Sequence, residues 1–375
     1  MEEFSIKPII KFGEDSLECL REEKFSKYFI VTDRSMVELK LIDHIIGKLN
    51  HNCRIEIFSE VEPNPSVETI EKGLKRMYQF DPDCVIALGG GSPIDACKGM
   101  LYFGYKLQKE LNREKKMKFI AIPTTSGTGS EVTSYSVITK GSKKIALANN
   151  QMLPDVALLN PEFMKTLPKK IIADTGMDVL THAIEAYVSK KRNPFTNSMA
   201  IEAIKLIYKN LLEHYGDALK LKPREKVQYA SCMAGIAFNN SSLGINHSVA
   251  HTLGAKLHIP HGRANAIVMP YIIEANSGAQ NLYAKIAREL GLPASNCEEG
   301  KNSLRILTEL FKEQMDIPVS LQEMGISFEE YKKLIPEFLM DIKNDICTEY
   351  NPNKFSDEEY IQLLLRIYFG NNGNK

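Results

Sequence analysis

The sequence predicts an α/β domain with a mainly parallel sheet, followed by an all-helical domain. Three observations support this. Short apolar runs alternate with helical patterns in the first half, few convincing strands remain after about Pro161, and 375 residues suffice for two cores. We expect residues 1–165 to form the α/β domain and residues 166–375 the helical domain.

Five apolar runs in the first half have the length and composition of strands. The predicted strands are residues 4–12, 28–32, 54–58, 84–88 and 119–122. Helical patterns at residues 36–48 and 66–79 separate them, which indicates βαβ units with right-handed connections. In the second half the predicted helical stretches are residues 171–216, 225–254, 282–291, 303–315 and 357–368.

The composition excludes several classes of protein. Hydrophobic residues make up 43% of the chain and charged residues 25%, as in ordinary globular proteins. Lys+Arg and Asp+Glu both number 47, so nothing in the charge balance favours nucleic acid or an anionic membrane as a partner. The N-terminus lacks a basic-then-apolar signal pattern, and no apolar run approaches the roughly 18–20 residues that span a bilayer.

The cysteines indicate a reducing compartment. There are seven, they are scattered, and none forms a C-x-x-C pair. Disulfide scaffolds and thiolate zinc sites need closer, paired spacing. We therefore expect reduced thiols in a cytoplasmic protein.

Histidines are concentrated in one stretch. Four of the chain's eight, His247, His251, His258 and His261, fall within fifteen residues. Neutral imidazole is the commonest protein metal ligand and titrates near physiological pH, so the cluster indicates a metal site or a proton relay. A chance cluster on a solvated turn is the alternative, and a partner elsewhere in the chain is needed to decide between them.

Asp178 and His182 supply such a partner. They are four residues apart, so on a helix both side chains point from one face. Alone, the pair would be read as an ordinary hydrogen bond on a helix surface. His247 and His251 repeat the spacing, and His261 follows Pro260 after a helix that we expect to end near Gly254.

Two helices and a following loop could thus surround one cation with an oxygen and three nitrogens. Such a set suits Fe²⁺ or Zn²⁺ and is too rich in nitrogen for Mg²⁺ or Ca²⁺. It leaves His251 and His258 as candidates for other roles. His251, one turn from a ligand, is well placed for proton transfer, whereas His258 is interpreted as a loop histidine.

Two loops of the first half indicate a dinucleotide site. Residues 89–95, G-G-G-S-P-I-D, lie between a predicted strand and a helix, where glycines let the backbone approach a pyrophosphate. The pattern is not G-x-G-x-x-G, and alone it could be an ordinary turn. The threonine-rich loop 123–131 follows the next strand at the same edge of the sheet, which favours dinucleotide binding. Asp33 ends a strand and could accept from the ribose hydroxyls of NAD; a helix N-cap role is equally compatible.

Together these motifs resemble the iron-containing (group III) alcohol dehydrogenases, whose fold is shared with dehydroquinate synthase. The resemblance covers nearly the whole chain and implies a dinucleotide-binding, Rossmann-like domain over residues 1–165 and a helical metal-binding, catalytic domain over residues 166–375. The motifs that carry it are G-G-G-S-P-I-D-A-C-K at 89–98, P-T-T-S-G-T-G-S-E-V-T at 123–133, G-M-D-V-L-T-H-A-I-E-A-Y-V-S at 176–189 and the histidine stretch at 247–261. Within the family the chain looks most like the 1-propanol dehydrogenase branch of propanediol-utilisation systems.

The resemblance implies specific residue roles. It makes Asp178, His182, His247 and His261 the metal ligands and places His251 beside the nicotinamide ring. The residues that it places around the cofactor are Asp33, Asn64, Gly90, Gly91, Ser92, Asp95, Thr124, Thr125, Thr128 and Lys144. Lys144 is the least secure, because the loop 140–143 can shift its alignment.

The hypothesis is therefore reversible hydride transfer between NAD(H), rather than NADP(H), and a short-chain primary alcohol or aldehyde such as 1-propanol or propanal, assisted by Fe²⁺ or Zn²⁺. Lactaldehyde, 1,2-propanediol and butanol are alternative substrates within the same family. Two other classes remain: a lyase of the dehydroquinate synthase type, whose ligand set has Glu where this chain has Asp178, and a binding protein with a vestigial site. The resemblance also implies a homodimer or higher homo-oligomer, with the cytoplasm or a bacterial microcompartment as its location.

Overall fold

The computed structural model describes residues 3–110, 115–141 and 143–370. The chain divides into two compact units. One is Ser5–Leu167, and the other is Pro168–Lys375 together with Met1–Phe4. Within the described ranges no helix combines the length and the apolar character needed to cross a membrane.

The first unit is built on a parallel sheet of six strands. The strands of the unit are β1 (Ile9–Phe12), β2 (Lys27–Val31), β3 (Arg54–Phe58), β4 (Cys84–Gly89), β5 (Lys118–Pro123), β6 (Tyr135–Lys140), β7 (Lys143–Ala148) and β8 (Val156–Leu159). The sheet order is β1-β8-β5-β4-β2-β3, and every pair in it is parallel. All residues of β4 are buried, as expected where helices cover both faces of a parallel sheet. The predicted α/β architecture is confirmed.

Several elements of this unit differ from the prediction. The first strand is four residues long rather than nine, and β8 was not predicted. The segment between β5 and β8 contains an antiparallel hairpin, β6–β7, that also escaped prediction. The two buried positions of β6 are Ser136 and Ile138, and because one of them is polar the sequence does not show the apolar–polar alternation of a strand.

In the described part of this unit the α-helices are α1 (Arg34–Glu38), α2 (Asp43–Ile46), α3 (Val67–Phe80) and α4 (Gly91–Glu110). The single helix predicted over residues 36–48 is two short helices, separated at Lys40, which has a positive φ of 57°. Helix α3 begins as predicted, because the Ser66 side chain accepts a hydrogen bond from the Thr69 N–H.

The second unit is helical throughout its described part. Its helices are α5 (Lys169–Val188), α6 (Pro194–Gly216), α7 (Leu221–Ser241), α8 (Ile245–Leu257), α9 (His261–Ala275), α10 (Gln280–Glu289), α11 (Cys297–Gln314), α12 (Phe328–Asn344), α13 (Ile346–Glu349) and α14 (Asp357–Phe369). The stretch 171–216 is interrupted before α6, where Asn193 and Thr196 form a capping box.

The expected helix end near Gly254 is wrong. Helix α8 continues to Leu257 and is terminated by His258 in the left-handed conformation. Gly254 instead allows a close approach, since a Cβ there would lie 3.1 Å from the Ile259 carbonyl oxygen. His261 is consequently not in a loop but is the first residue of α9, directly after Pro260.

Candidate metal centre and cofactor turn

Three helices bring the four predicted ligands together. Asp178 and His182 lie one turn apart on α5, His247 lies on α8, and His261 opens α9. One ligand atom from each lies within 4.8 Å of those of the others. His261 Nε2 is 3.4 Å and His247 Nε2 is 3.9 Å from Asp178 Oδ1.

Burial controls the electrostatics of the cluster. Asp178, His182 and His247 are buried and His261 is partly exposed. Burial lowers the pKa of His182 to about 3 and holds the pKa of His247 well below its ordinary value, while it raises the pKa of Asp178. The two imidazoles are therefore neutral and keep a lone pair available for a cation.

The donor set fits a divalent transition metal. One carboxylate oxygen and three imidazole nitrogens suit Fe²⁺ or Zn²⁺. Among the described residues, the buried Nδ1 of His182 has no hydrogen-bond partner, although buried polar atoms usually have one. The centre thus has the chemistry of a metal site.

Two buried residues behind the ligands were not identified from the sequence. Glu185 Oε2 lies 2.5 Å from His247 Nδ1. The Asn265 amide nitrogen lies 2.7 Å from Asp178 Oδ1, 3.2 Å from His247 Nε2 and 3.1 Å from His261 Nε2. Helical spacing offered a signal for both, because Glu185 is three residues after His182 and Asn265 is four after His261.

His251 has a carboxylate partner of its own. Its Nδ1 lies 2.8 Å from Asp345 Oδ2, and its ring stacks on that of His261 at 5.2 Å between centroids. Burial alone would raise the pKa of Asp345, but the hydrogen bond and charge of His251 outweigh it and lower that pKa. Asp345 is 94 residues from His251, so no local pattern could have revealed it. His258, the exposed residue that ends α8, lies outside the cluster.

The predicted cofactor residues gather at the carboxyl ends of neighbouring strands. Asp33, Asn64, Gly90 and Thr124 follow or end β2, β3, β4 and β5 respectively, which are adjacent in the sheet. The Asn64 N–H donates to Ser92 Oγ at 3.2 Å.

The glycines of the turn at residues 89–91 let the threonine-rich loop 123–131 pack closely against it. A Cβ on Gly90 would lie 3.2 Å from Thr125 Oγ1, and one on Gly91 would lie 2.9 Å from Thr128 Cγ2. The two predicted cofactor loops are thus packed against each other, and the absence of side chains on the glycines permits it.

Asp95 is a partly buried residue that anchors neighbouring elements in this structure. It accepts from Ser130 Oγ at 3.3 Å and from the Val137 N–H at 3.2 Å, which ties α4 to β6. Burial raises the pKa of Asp95 to about 6 and that of Glu131 to about 7, and it lowers the pKa of Lys98 to about 8. Lys98 donates to Thr133 Oγ1 at 3.1 Å and to the Tyr135 carbonyl at 2.8 Å, which fixes the same hairpin.

Asp33 and Lys144 occupy different surroundings. Asp33 is the N-cap of α1 and accepts from the Ser35 and Met36 N–H groups, so the helix-cap interpretation describes its contacts here. Lys144 lies in β7 opposite Thr139, whose hydroxyl donates to the Asn64 carbonyl oxygen at 3.1 Å. The hairpin therefore reaches the cofactor turn through Asn64.

Two sequence families together match almost the entire chain. Residues 8–161 match the family described as iron-containing alcohol dehydrogenase, and residues 172–368 match its C-terminal part. The chain is 42% identical to the NADPH-dependent butanol dehydrogenase of Clostridium saccharobutylicum, with 99% of each chain covered. It is 36% identical to the 1-propanol dehydrogenase of Citrobacter freundii, which covers 97% of this chain and 99% of that one.

Solved structures share the fold over the same extent. An iron-containing alcohol dehydrogenase from Thermococcus thioreducens superposes with a TM-score of 0.89 at 33% identity, covering 98% of this chain and 100% of the other. A sulfoacetaldehyde reductase from Bifidobacterium kashiwanohense, solved in complex with NAD+, gives a TM-score of 0.88 at 25% identity and covers 99% of both chains.

Proposed function

This chain belongs to the iron-containing alcohol dehydrogenase family, and on that premise we propose that it interconverts a short-chain primary alcohol and its aldehyde with NAD(H). The observation that carries the proposal is the convergence of Asp178, His182, His247 and His261 from three helices. The representative substrate pair is 1-propanol and propanal.

The four converging residues would hold the metal ion, with Fe²⁺ as the proposed ion and Zn²⁺ as the alternative. Both suit the same ligands, and zinc generally binds more tightly, so ligand type does not choose between them. When bound, such an ion supplies Lewis-acid polarisation of the substrate oxygen.

Residues of the chain itself would transfer the alcohol proton and hold the cofactor in place. We assign the alcohol proton to His251, because Asp345 fixes its Nδ1 and leaves Nε2 to exchange a proton. In the first unit, the start of α4 at Gly91 presents backbone N–H groups to the pyrophosphate. The Asn64–Ser92 hydrogen bond holds that turn in place.

The preference for NAD over NADP rests on Asp33. Its carboxylate lies at the end of β2, where it would repel a 2′-phosphate. A solved relative binds NAD+, whereas the butanol dehydrogenase is named for NADPH, so both cofactors belong in the test. The names of the butanol and 1-propanol dehydrogenases support a short linear substrate.

We also propose a homodimer in the cytoplasm. Strand β1 lies at the edge of the sheet, and Ile9 and Phe12 on it are 59% and 64% exposed. An apolar edge strand is a ready template for pairing with a second copy.

The decisive experiment is an anaerobic screen of short-chain aldehydes with NADH and with NADPH, with and without added Fe²⁺. We expect metal-dependent oxidation of NADH by propanal or butanal. No oxidation of either cofactor in metal-replete protein would overturn the activity. A His261→Ala variant that kept both its bound metal and full turnover would overturn the ligand set.

A further inference from the structure

Glu185 is a buried carboxylate that touches the candidate centre from behind. Its side chain is 6% exposed, and it lies on α5 one turn beyond His182. Oε2 is 2.5 Å from His247 Nδ1, and Oε1 accepts from the Asn246 N–H at 2.6 Å. A side chain that faces a ligand ring from a fully buried position is suited to orient that ring.

The two carboxylate oxygens of Glu185 have different hydrogen-bond partners. Helix α8 has no side-chain cap of its own, since its N-cap is Gly244. A Cβ on Gly244 would lie 2.8 Å from Glu185 Oε1, so the glycine lets the carboxylate reach the first turn. Oε1 thus serves the helix terminus and Oε2 serves the imidazole.

Asn265 fixes the opposite side of the same ring. Its amide oxygen accepts from Asn246 Nδ2 at 2.9 Å, so its NH₂ group faces the ligands. That NH₂ group lies 3.2 Å from His247 Nε2. A donor at Nε2 and an acceptor at Nδ1 specify the same tautomer, with the proton on Nδ1.

We propose that Glu185 is a positioning residue that holds His247 in the Nδ1-protonated tautomer, which leaves the Nε2 lone pair for the metal and thereby sets the affinity of the site. The inference rests on the proposed ligand set and adds the residue that prepares one ligand. Carboxylates that accept from the second nitrogen of a ligating histidine fix its orientation and raise its basicity.

The Glu185→Gln substitution tests this because it keeps the shape and reverses the hydrogen bond. The backbone N–H of Asn246 requires an acceptor, so the glutamine oxygen would take the Oε1 position. Its NH₂ group would then face His247 Nδ1 and demand the Nε2-protonated tautomer, which cannot bind metal without rearranging.

Asp174→Asn is the matched control. Asp174 lies on the same helix and is 5% exposed, and its carboxylate accepts from Arg263 Nε at 2.8 Å rather than from a ligand ring. Glu185→Asp retains the carboxylate at a shorter reach and tests partial rescue. The probes are the Zn²⁺ dissociation constant, from competition with a chromophoric chelator, and the histidine side-chain ¹⁵N shifts of the metal-free protein.

We expect Glu185→Gln to weaken Zn²⁺ binding by about 10–100-fold, Asp174→Asn to leave it nearly unchanged, and Glu185→Asp to lie between them. The ¹⁵N shifts should show His247 protonated on Nδ1 in the wild type and on Nε2 in Glu185→Gln. Equal Zn²⁺ affinities of the Gln and Asn variants would overturn the inference, as would an Nε2-protonated His247 in the wild type.

If the proposed ligand set were wrong, the same measurements would give a different result. If the wild type itself bound no Zn²⁺, the proposed function would lose its metal site, while the wild-type tautomer would still decide the role of Glu185. If Glu185→Gln did not fold, the wild-type ¹⁵N shifts and the Glu185→Asp affinity would give the decision.

Discussion

Gly262 lies beside the candidate metal centre, at the point where two helices pack together. It follows His261 at the start of α9, where α9 approaches α5. A Cβ at Gly262 would lie 2.2 Å from the Asp174 carbonyl oxygen and 3.3 Å from Asp178 Cβ. Because the nearer obstacle is backbone, rotation of a side chain cannot relieve a Gly262→Ala substitution.

The required displacement follows from these distances. Ordinary contact begins near 3.4 Å, so the backbone must separate by 3.4 − 2.2 = 1.2 Å. His261 would move with α9 and away from Asp178, from which its Nε2 is now 3.4 Å. Metal–ligand distances tolerate roughly 0.2 Å, so we expect Zn²⁺ affinity to fall by about 100-fold or more, in line with the cost of a misplacement of about 1 Å in an active site.

Gly176→Ala is the comparison that isolates this effect. It lies on α5 two residues before Asp178, and its Cβ would also meet an atom at 2.2 Å, but that atom is the Leu211 Cδ1 methyl group. Overpacking of this kind destabilises by about 1–3 kcal/mol. Urea unfolding of the metal-free proteins, prepared with a chelator, should therefore show a similar loss of unfolding free energy for both variants. Zn²⁺ titration should separate them. Wild-type affinity in Gly262→Ala would refute the reasoning.

Three further predictions concern other parts of the protein. Asp345→Asn keeps an oxygen for the Cys347 N–H but turns an NH₂ group toward His251. We therefore expect kcat to fall by about 10–100-fold while the metal content stays unchanged. An unaltered kcat and pH profile would contradict this. Glu131→Gln removes a carboxyl whose pKa burial raises from 4.5 to about 7. The folded wild type therefore holds a proton that the unfolded chain releases, and its stability declines as pH rises through this window by at most about 1.4 kcal/mol per pH unit. In the metal-free variant, prepared with a chelator, the free energy of unfolding should lack this pH dependence. Parallel curves of unfolding free energy against pH for the variant and the wild type would disprove the prediction. Finally, Zn²⁺ at about 1,000 times its dissociation constant should stabilise the protein by about 4 kcal/mol over the chelated form, and calorimetry that found no difference would count against the site.

The sequence predicted the sheet where the chemistry of its strands was unambiguous. β4 is a fully buried apolar run followed by glycines, so its position could be predicted, whereas the order of the strands came only from the structure. The β6–β7 hairpin could not, because it is held by groups distant in sequence, chiefly the partly buried Asp95 and the buried Lys98 on α4. Asp95 was predicted as a cofactor residue, and its contacts here are those of an anchor for that hairpin.

Helical spacing made the two proposed ligands on α5 accessible from the sequence, whereas His247 and His261 were assigned as ligands through the family resemblance. Asp178 with His182 is an i, i+4 pair, which sequence displays directly. The sequence did not predict the helix that begins at His261. Gly254 resembles a helix terminator, but in the structure it allows the close approach of Ile259 to α8. Partners such as Asp345 depend on tertiary packing and leave no periodic signal.

The spacing of the ligands along the chain also bears on how the protein unfolds. An ion held by Asp178 and His261 would bridge positions that are 261 − 178 = 83 residues apart. Closing a flexible loop of that length costs an entropy worth about 4 kcal/mol. The ion would therefore act as a removable cross-link among α5, α8 and α9, and we expect its dissociation to precede their separation. The lifetime of the native chain would then be governed by the rate at which metal leaves it.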